Sequence, residues 1–569
     1  MRCRLHRALA AGLVLPGLLA FAQAQEPAPA PIVRRTARLV EVSVVVQDAT
    51  GKAVTGLKRE DFGLLDEGKR QDITLFVPDA RGTQLATDTP QDENTFTNRV
   101  ERRGAIPTSV SIILLDGLNT RKADQYFARQ QVLSFLLTLK PNDRVAVYAL
   151  GLGLYRLHDF TSDPAALRRA VQAYQGTTGG VLRDSRPASG EQTLGALSGK
   201  DAAGKAMIEN MMQWLDAVRD REAQYMMTER VRITTAALEA IGRHAAGIPG
   251  RKNLIWVSGG FPLSMGYGTA PNTFNVAPSR VSFYSDAERS VRALNDAGLV
   301  IYPVEARGVF DSFSENPNLY QSTPRMVTTA QPKGPDAATD DTDRDSLILL
   351  AQRTGGRAFY NTNDIAGAVR TAIEDSEGSY LLGYSPDHGA WFGNWRKIKV
   401  KVDRPNLRIR HRPGYFAMPE VSAYQADRLA ATLSSASSPL EATAIPLTAR
   451  VAFADAGRAL LSVSVQVEYR ALQLQRGTGN RFQGTFDVTF AQFDAGGARL
   501  RYLTQTVDMN LRSGTMFSMS KEGLEMERVI PLEPRATEVR IAVRDAATGT
   551  TGSVSIPLAK IGQAEGPTR

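Results

Sequence analysis

Beyond its third residue this chain has no cysteine: Cys3 is the only one among 569 residues. Disulfides, thiol nucleophiles and cysteine-ligated zinc are therefore excluded from the rest of the sequence. Histidine is nearly as scarce. Apart from His6 there are only His158, His244, His388 and His411, and none forms an H-E-x-x-H or comparable pair. No stretch past the N-terminus reaches the roughly 18 uninterrupted apolar residues of a membrane-spanning helix. Blocks of consecutive Lys and Arg are also missing. The formal charge is +9, and losing Arg2, Arg4 and Arg7 leaves 65 basic against 59 acidic residues, or +6. That mild bias gives no nucleic-acid surface.

What the N-terminus does contain is a basic start, an apolar run from Ala8 to Phe21 and the ending Ala22-Gln23-Ala24. These are the parts of a secretory signal peptide, expected over residues 1–24. Pro16 interrupts the run, which is too short for a comfortable span. Cys3 precedes the run, so it is not a lipid-bearing cysteine at the cleavage site. Residues 25–35 form a Pro/Ala spacer. Export is expected, to the periplasm, the cell surface or the medium, with no transmembrane segment in the mature chain.

A chain this long exceeds one hydrophobic core. Residues 36–79 read as a small β unit, with a strand at Leu39–Asp48 rich in Val, and 80–106 as a linker. From residue 107 the texture becomes apolar strands alternating with helical patterns. Strands are expected at Ser109–Leu115, Arg144–Leu150, Arg251–Ser258, Leu299–Val304, Gly356–Tyr360 and Ser379–Tyr384. Helices are expected over 122–139, from Asp163-Pro164, and over 206–246, 286–297, 344–354 and 363–374. Continuous apolar strands separated by helices predict a mostly parallel, doubly wound α/β sheet. Trp395–Val402 and Leu407–Pro413 resemble a hairpin that closes this domain at 416. A linker over 417–442 then leads to short alternating strands over 443–562, expected to form a β-sandwich.

Several stretches together resemble the exported bacterial von Willebrand factor A-related proteins, of the acidobacterial type. They are Val45-Val-Gln-Asp-Ala-Thr-Gly-Lys, Asp61-Phe-Gly-Leu-Leu-Asp-Glu-Gly-Lys, Leu114-Leu-Asp-Gly-Leu-Asn-Thr and Pro141-Asn-Asp-Arg-Val-Ala-Val. Further on come Gly247-Ile-Pro-Gly-Arg-Lys-Asn-Leu-Ile-Trp-Val-Ser-Gly-Gly-Phe-Pro, Ala293-Leu-Asn-Asp-Ala-Gly-Leu-Val-Ile-Tyr-Pro-Val, Gly383-Tyr-Ser-Pro and Trp395-Arg-Lys-Ile-Lys-Val. The resemblance spans about residues 36–416. It implies a non-enzymatic binding or adhesion-type protein with a protein ligand of unknown identity.

It also implies a metal-ion-dependent adhesion site at the first strand end, where Mg²⁺ or another divalent cation takes oxygen ligands. Asp116 and Thr120 hold two of its positions. The second-loop threonine is Thr177 or Thr178, with Thr161 also nearby, and Ser258 stands where full sites carry aspartate. Leu118 occupies a serine position and cannot coordinate, so the site is degenerate. The alternative at this site has Asp116 accepting from nearby backbone N–H groups and Thr120 capping the next helix.

Two other functions remain open: an envelope structural protein with no metal site, and a secreted hydrolase using the crevice near Ser258. The hydrolase would use Ser258 or a carboxylate pair, and His158 or His244 within hydrogen-bond reach of Ser258 would favour it. Trp256-Val-Ser-Gly-Gly does not fit the nucleophile-elbow pattern. Asp341-x-Asp343-x-Asp345 begins like a calcium loop but has Ser346 where glycine is needed, and reads as a solvated acidic loop.

Overall fold

The computed structural model describes residues 39–78, 94–99, 109–176, 202–261, 264–265, 281–307, 335–417 and 424–562, apart from 142, 249, 376–378, 387–390, 513, 516–518 and 520–522. The expected leader and spacer lie outside these residues.

The strand-rich middle of the chain folds as expected from its continuous apolar runs. We label its elements β1 (Ser109–Asp116), α1 (Lys122–Leu136), β2 (Val145–Leu150), β3 (Leu154–Thr161), α2 (Pro164–Ala173), α3 (Ala202–Ala245), β4 (Arg251–Ser258), α4 (Tyr284–Asp296), β5 (Leu299–Glu305), α5 (Pro335–Thr354) and α6 (Ile365–Glu374). The sheet order is β5-β4-β1-β2-β3. All neighbours are parallel except β3, which runs antiparallel to β2 at the edge. Strand order reverses at β1, so the carboxyl ends of β1 and β4 flank the topological switch point where open sheets bind ligands.

Side-chain alternation divides the core in two. Ile112, Leu114, Leu254 and Trp256 pack with Leu238 and Ile241 of α3, Val291 and Leu294 of α4, and Leu347 and Leu350 of α5. Ile113, Leu115, Ile255 and Val257 pack on the other face with Val132 and Phe135 of α1, Leu167 and Val171 of α2, and Val369 and Ile373 of α6. Each fully buried side chain of this kind contributes roughly 1.5–3 kcal/mol. Asp163 caps α2, its Oδ1 accepting from Ala165 N at 2.8 Å with Pro164 just inside the helix.

Several readings change. The segment Gly356–Tyr360 contributes only a bridge, with Phe359 parallel to Val304. Ser379–Tyr384 does not continue the parallel sheet; it pairs antiparallel with Val40–Val45. Trp395–Val402 and Leu407–Pro413 are not a hairpin. Asn394–Val402 pairs with Phe62–Asp66 and Gly414–Ala417, whereas Arg408–His411 crosses to pair with Val44–Gln47. The strands over 40–77 thus complete two four-stranded sheets with strands over 379–417. Val42, Val44, Leu64, Leu382, Ile398 and Val400 fill the core between them. The α/β elements are threaded between the two halves of this unit.

One buried carboxylate ties the halves together. Asp66 accepts from Tyr384 Oη, Tyr415 Oη and Arg396 Nε, each at 2.9 Å. Burial and this carboxylate push both tyrosine hydroxyls well above their ordinary pKa.

Toward the C-terminus, two antiparallel sheets enclose a core that includes Leu447, Val463, Val465, Phe486, Ile541 and Ile556. Both segments expected as linkers contribute structure here. Thr95–Thr97 pairs with Thr448–Arg450, and the helix Gln425–Ser437 packs Ala436 against Ala491, Phe493 and Ala542. Asp341 to Asp345 lie within helix α5 rather than a loop.

Candidate functional site

β1 ends on Asp116, where the continuous apolar run Ile112–Leu115 stops and the chain leaves the sheet. The loop that follows is pinned on several sides. Gly117 N and Leu118 N donate to Leu150 O, and Gln125 Nε2 of α1 donates to the carbonyls of Gly117 and Thr120 at 2.9 Å. Leu118 turns inward, fully buried in the core beneath α3.

Asp116 is only 3% exposed. Its Oδ1 accepts from Asn119 N at 2.9 Å. Its Oδ2 accepts from Asn119 Nδ2 at 2.9 Å, Trp256 Nε1 at 2.9 Å and Ser258 Oγ at 2.7 Å. Burial pushes the carboxyl above its ordinary pKa, and the hydrogen bonds from Asn119, Ser258 and Trp256 pull against that. A further layer holds Asn119: its Nδ2 also donates to Thr234 Oγ1 at 2.9 Å, and its Oδ1 accepts from Arg230 Nε and Nη2 at 3.2 and 3.1 Å.

The fold therefore brings Asp116, Thr120 and Ser258 together. Thr177 and Thr178 lie outside the described residues. Thr161 is at the wrong end of the sheet: it is level with Val145 at the start of β2, whereas Asp116 is level with Leu150 at its end. Thr120 does not cap α1. Its Oγ1 accepts from Gly259 N at 2.8 Å, and the cap position is Arg121, which makes no side-chain capping bond. Thr120 thus clips the loop after β1 to the loop after β4.

For a cation this donor set is a poor match. Mg²⁺ and Ca²⁺ need several oxygen lone pairs directed at one point. Here Asp116 is the one carboxylate in the group, and N–H and O–H donors occupy both its oxygens. Among the described residues no group of three or more His, Asp and Glu side chains is placed to hold a metal.

Ser258 Oγ donates to Asp116 and accepts from Gly260 N at 3.2 Å, and among the described residues no histidine partners it. His244 Nδ1 contacts Glu441 O at 2.6 Å, and His158 Nδ1 contacts Asp159 O at 2.7 Å. Neither of these two histidines is bonded to Ser258.

Glu305 was missed by sequence reasoning. It ends β5 level with Ser258, is 2% exposed, and accepts from Arg307 at 2.8 Å, Arg344 at 3.1 Å and Asn361 N at 3.2 Å. The signal was available: Leu299-Val-Ile-Tyr-Pro-Val-Glu is an apolar run ending on a carboxylate, as Ser109–Asp116 is.

Beside Asp116 and Thr120 opens a cleft of about 320 Å³, lined by Lys122, Gln125, Tyr126 and Arg129 of α1 and by Tyr174 to Gly176. Lys122, Tyr126 and Arg129 share one helix face by their spacing. Tyr126 is 62% exposed, and the Arg129 guanidinium lies 5.6 Å from its ring centroid while Nη1 donates to Tyr174 O at 2.6 Å.

No protein-family model matches this chain. No curated protein matches it either. Similar solved structures include the vWF domain of the type V pili tip protein Mfa5 from Porphyromonas gingivalis, 13% identical over 47% of this chain and 94% of that one, with a TM-score of 0.23. Three N-terminal domains of the same protein match at 10% identity over 89% of this chain and 78% of that one, with a TM-score of 0.24. An aerotolerance-related membrane protein from Bacteroides fragilis matches at 10% identity over 47% and 98%, with a TM-score of 0.21. Scores this low carry no argument about function, which rests on the residues above.

Proposed function

We propose that this chain is a non-enzymatic, exported binding protein of adhesion type. Its recognition surface is the rim at the carboxyl ends of β1 and β4, and the rim works without a cation. The α/β unit is then a von Willebrand factor A-like domain whose adhesion site has become a hydrogen-bonded brace. The observation that carries this reading is the pairing of a fully satisfied Asp116 with an open, basic and aromatic cleft next to it. Lys122, Tyr126 and Arg129 offer charge, an exposed ring and directed donors, the residue types that anchor protein interfaces. The partner is a protein with acidic groups on the contacting surface.

The test is capture of envelope and surface proteins by the immobilised exported chain, compared with a Tyr126→Ala/Arg129→Ala double variant. Both substitutions lie on the cleft wall and leave the Asp116 network in place. The expected result is a captured set that the double variant loses and that a chelator leaves unchanged. Capture abolished by the chelator, or unaffected by the double variant, overturns the reading.

A further inference from the structure

Helix α3 has 44 residues, a length of about 66 Å at 1.5 Å per residue. Its two halves have different environments. From Val231 onward it is built into the core through Val231, Leu238, Ile241 and Ala245. From Ala206 to Tyr225 every described side chain is exposed except the half-buried Leu215. Solvated helix faces are normally polar. This one carries Met207 at 71% exposure, Met211 at 40%, Trp214 at 64%, Val218 at 41% and Tyr225 at 64%.

The spacing of the first four is four, three, four, which is the a/d seam of a coiled coil. The next seam position is Arg221, and Tyr225 follows it. We propose that this seam is a self-association surface, on which a second copy of the chain docks its own α3 in antiparallel register.

Self-complementarity supports this occupant. With the two-fold axis between residues 212 and 213, Met207 meets Val218 of the second copy and Met211 meets its Trp214, and the symmetric contacts repeat. All four layers are then apolar, as an isologous interface requires. The Met211–Trp214 layers also place sulfur against an aromatic ring.

Arg221 selects the direction. A parallel pair would stack Arg221 on its own copy inside the apolar seam, burying like charges. The antiparallel pair sets it opposite the position of Gly204, where the guanidinium can reach water.

The experiment is sedimentation velocity on the exported chain at micromolar concentration, with Trp214→Glu as the variant. The expected result is a dimer that Trp214→Glu converts to monomer, with an unchanged circular dichroism spectrum because Trp214 is 64% exposed and lies outside the core clusters of the described residues. A monomeric wild type, or a dimer that survives Trp214→Glu, overturns the proposal. Register is read from cysteine variants, since the exported chain has no cysteine of its own. Mixed Met211→Cys and Trp214→Cys chains are expected to cross-link to each other several-fold faster than either does to itself. Preferential self-linking of Met211→Cys shows a parallel pair and overturns the antiparallel register, as does the absence of any cross-link.

Discussion

Asp116→Ala removes the acceptor around which the loops after β1 and β4 are built. Trp256 Nε1, fully buried, loses its carboxylate partner at 2.9 Å. Asn119 N loses a bond of the same length, while Asn119 Nδ2 keeps Thr234 and Ser258 Oγ can turn to Gly260 O at 3.1 Å. Two buried donors are thus stranded and two are redirected. Each stranded donor costs about 1–3 kcal/mol. Relief of the buried charge offsets part of this, so the net loss is expected near 3 kcal/mol. Asp116→Asn should cost less, because its amide oxygen can still serve the three donors at the Oδ2 position.

The assay is chemical denaturation at pH 7, followed by circular dichroism with and without Mg²⁺. A cation bound at a hundredfold excess over its dissociation constant would add about 2.7 kcal/mol. The expected outcome is a large destabilisation by Asp116→Ala and no change in midpoint on adding millimolar Mg²⁺, Mn²⁺ or Ca²⁺ to the wild type. A loss below about 1 kcal/mol would refute the brace. A cation-induced gain that disappears in Asp116→Ala would show the metal site to be real.

Three other outcomes are expected. Leu118→Ser, which supplies the hydroxyl that the resemblance expects at this position, should cost about 3 kcal/mol and confer no cation binding by calorimetry, because residue 118 points into the α3-side core. Asp66→Ala should lower stability by about 3–5 kcal/mol in thermal unfolding, since it removes the buried acceptor shared by two tyrosine hydroxyls and Arg396 from distant chain segments. Burial pushes Lys252 down to about 8 from an ordinary 10.5 while its ammonium donates to the carbonyls of Ile248 and Gly250. Below pH 8 both states hold the proton; between 8 and 10.5 the folded chain sheds it first, so stability from this group rises with pH. The difference between wild type and Lys252→Met should therefore shift by about 3 kcal/mol toward the wild type from pH 7 to 10.5, a flat profile arguing against the buried charge.

What the sequence made legible was whatever depends on local pattern. Continuous apolar runs marked β1, β2, β4 and β5, since strands covered on both faces need no polar side. Asp163-Pro164 marked the start of α2 by its capping chemistry. The antiparallel edge strand β3 went unread because Leu154–Thr161 is half exposed and carries Arg156, His158 and Asp159 among its residues. Pairing across three hundred residues was also invisible. Nothing in Ser379–Tyr384 alone distinguishes a sixth parallel strand from a partner of Val40–Val45. At the candidate site, residue types located the loop, but only coordinates reveal that Asp116 is already saturated with donors and that Thr120 holds Gly259 rather than a helix.

That pairing also explains why the quoted motifs lie so far apart. Asp66 of Leu-Leu-Asp-Glu-Gly-Lys, Tyr384 of Gly-Tyr-Ser-Pro and Arg396 of Trp-Arg-Lys-Ile converge on one buried cluster. The Gly-Ile-Pro-Gly-Arg-Lys-Asn stretch then joins this unit to the α/β sheet: Arg251 donates to Ser43 of the β unit, while its bond to Tyr302 Oη and that of Asn253 Nδ2 to Ala372 O at 3.0 Å fix the strand within the α/β unit. Gly247 serves the other side. Its N–H donates to Thr443 Oγ1 at 2.8 Å, and a Cβ there would stand 2.0 Å from Thr443 O. Polar residues that would be costly in an isolated strand are thus satisfied by neighbouring units, which holds β4 between its two flanking β units. The recognition rim proposed for the far end of β4 would gain from this: its loops are fixed at one end by Asp116 and Thr120, and their supporting strand is fixed at the other by Arg251 and Gly247. Preorganisation of that kind lowers the ordering cost of binding, so a rim without a cation can still present a defined surface.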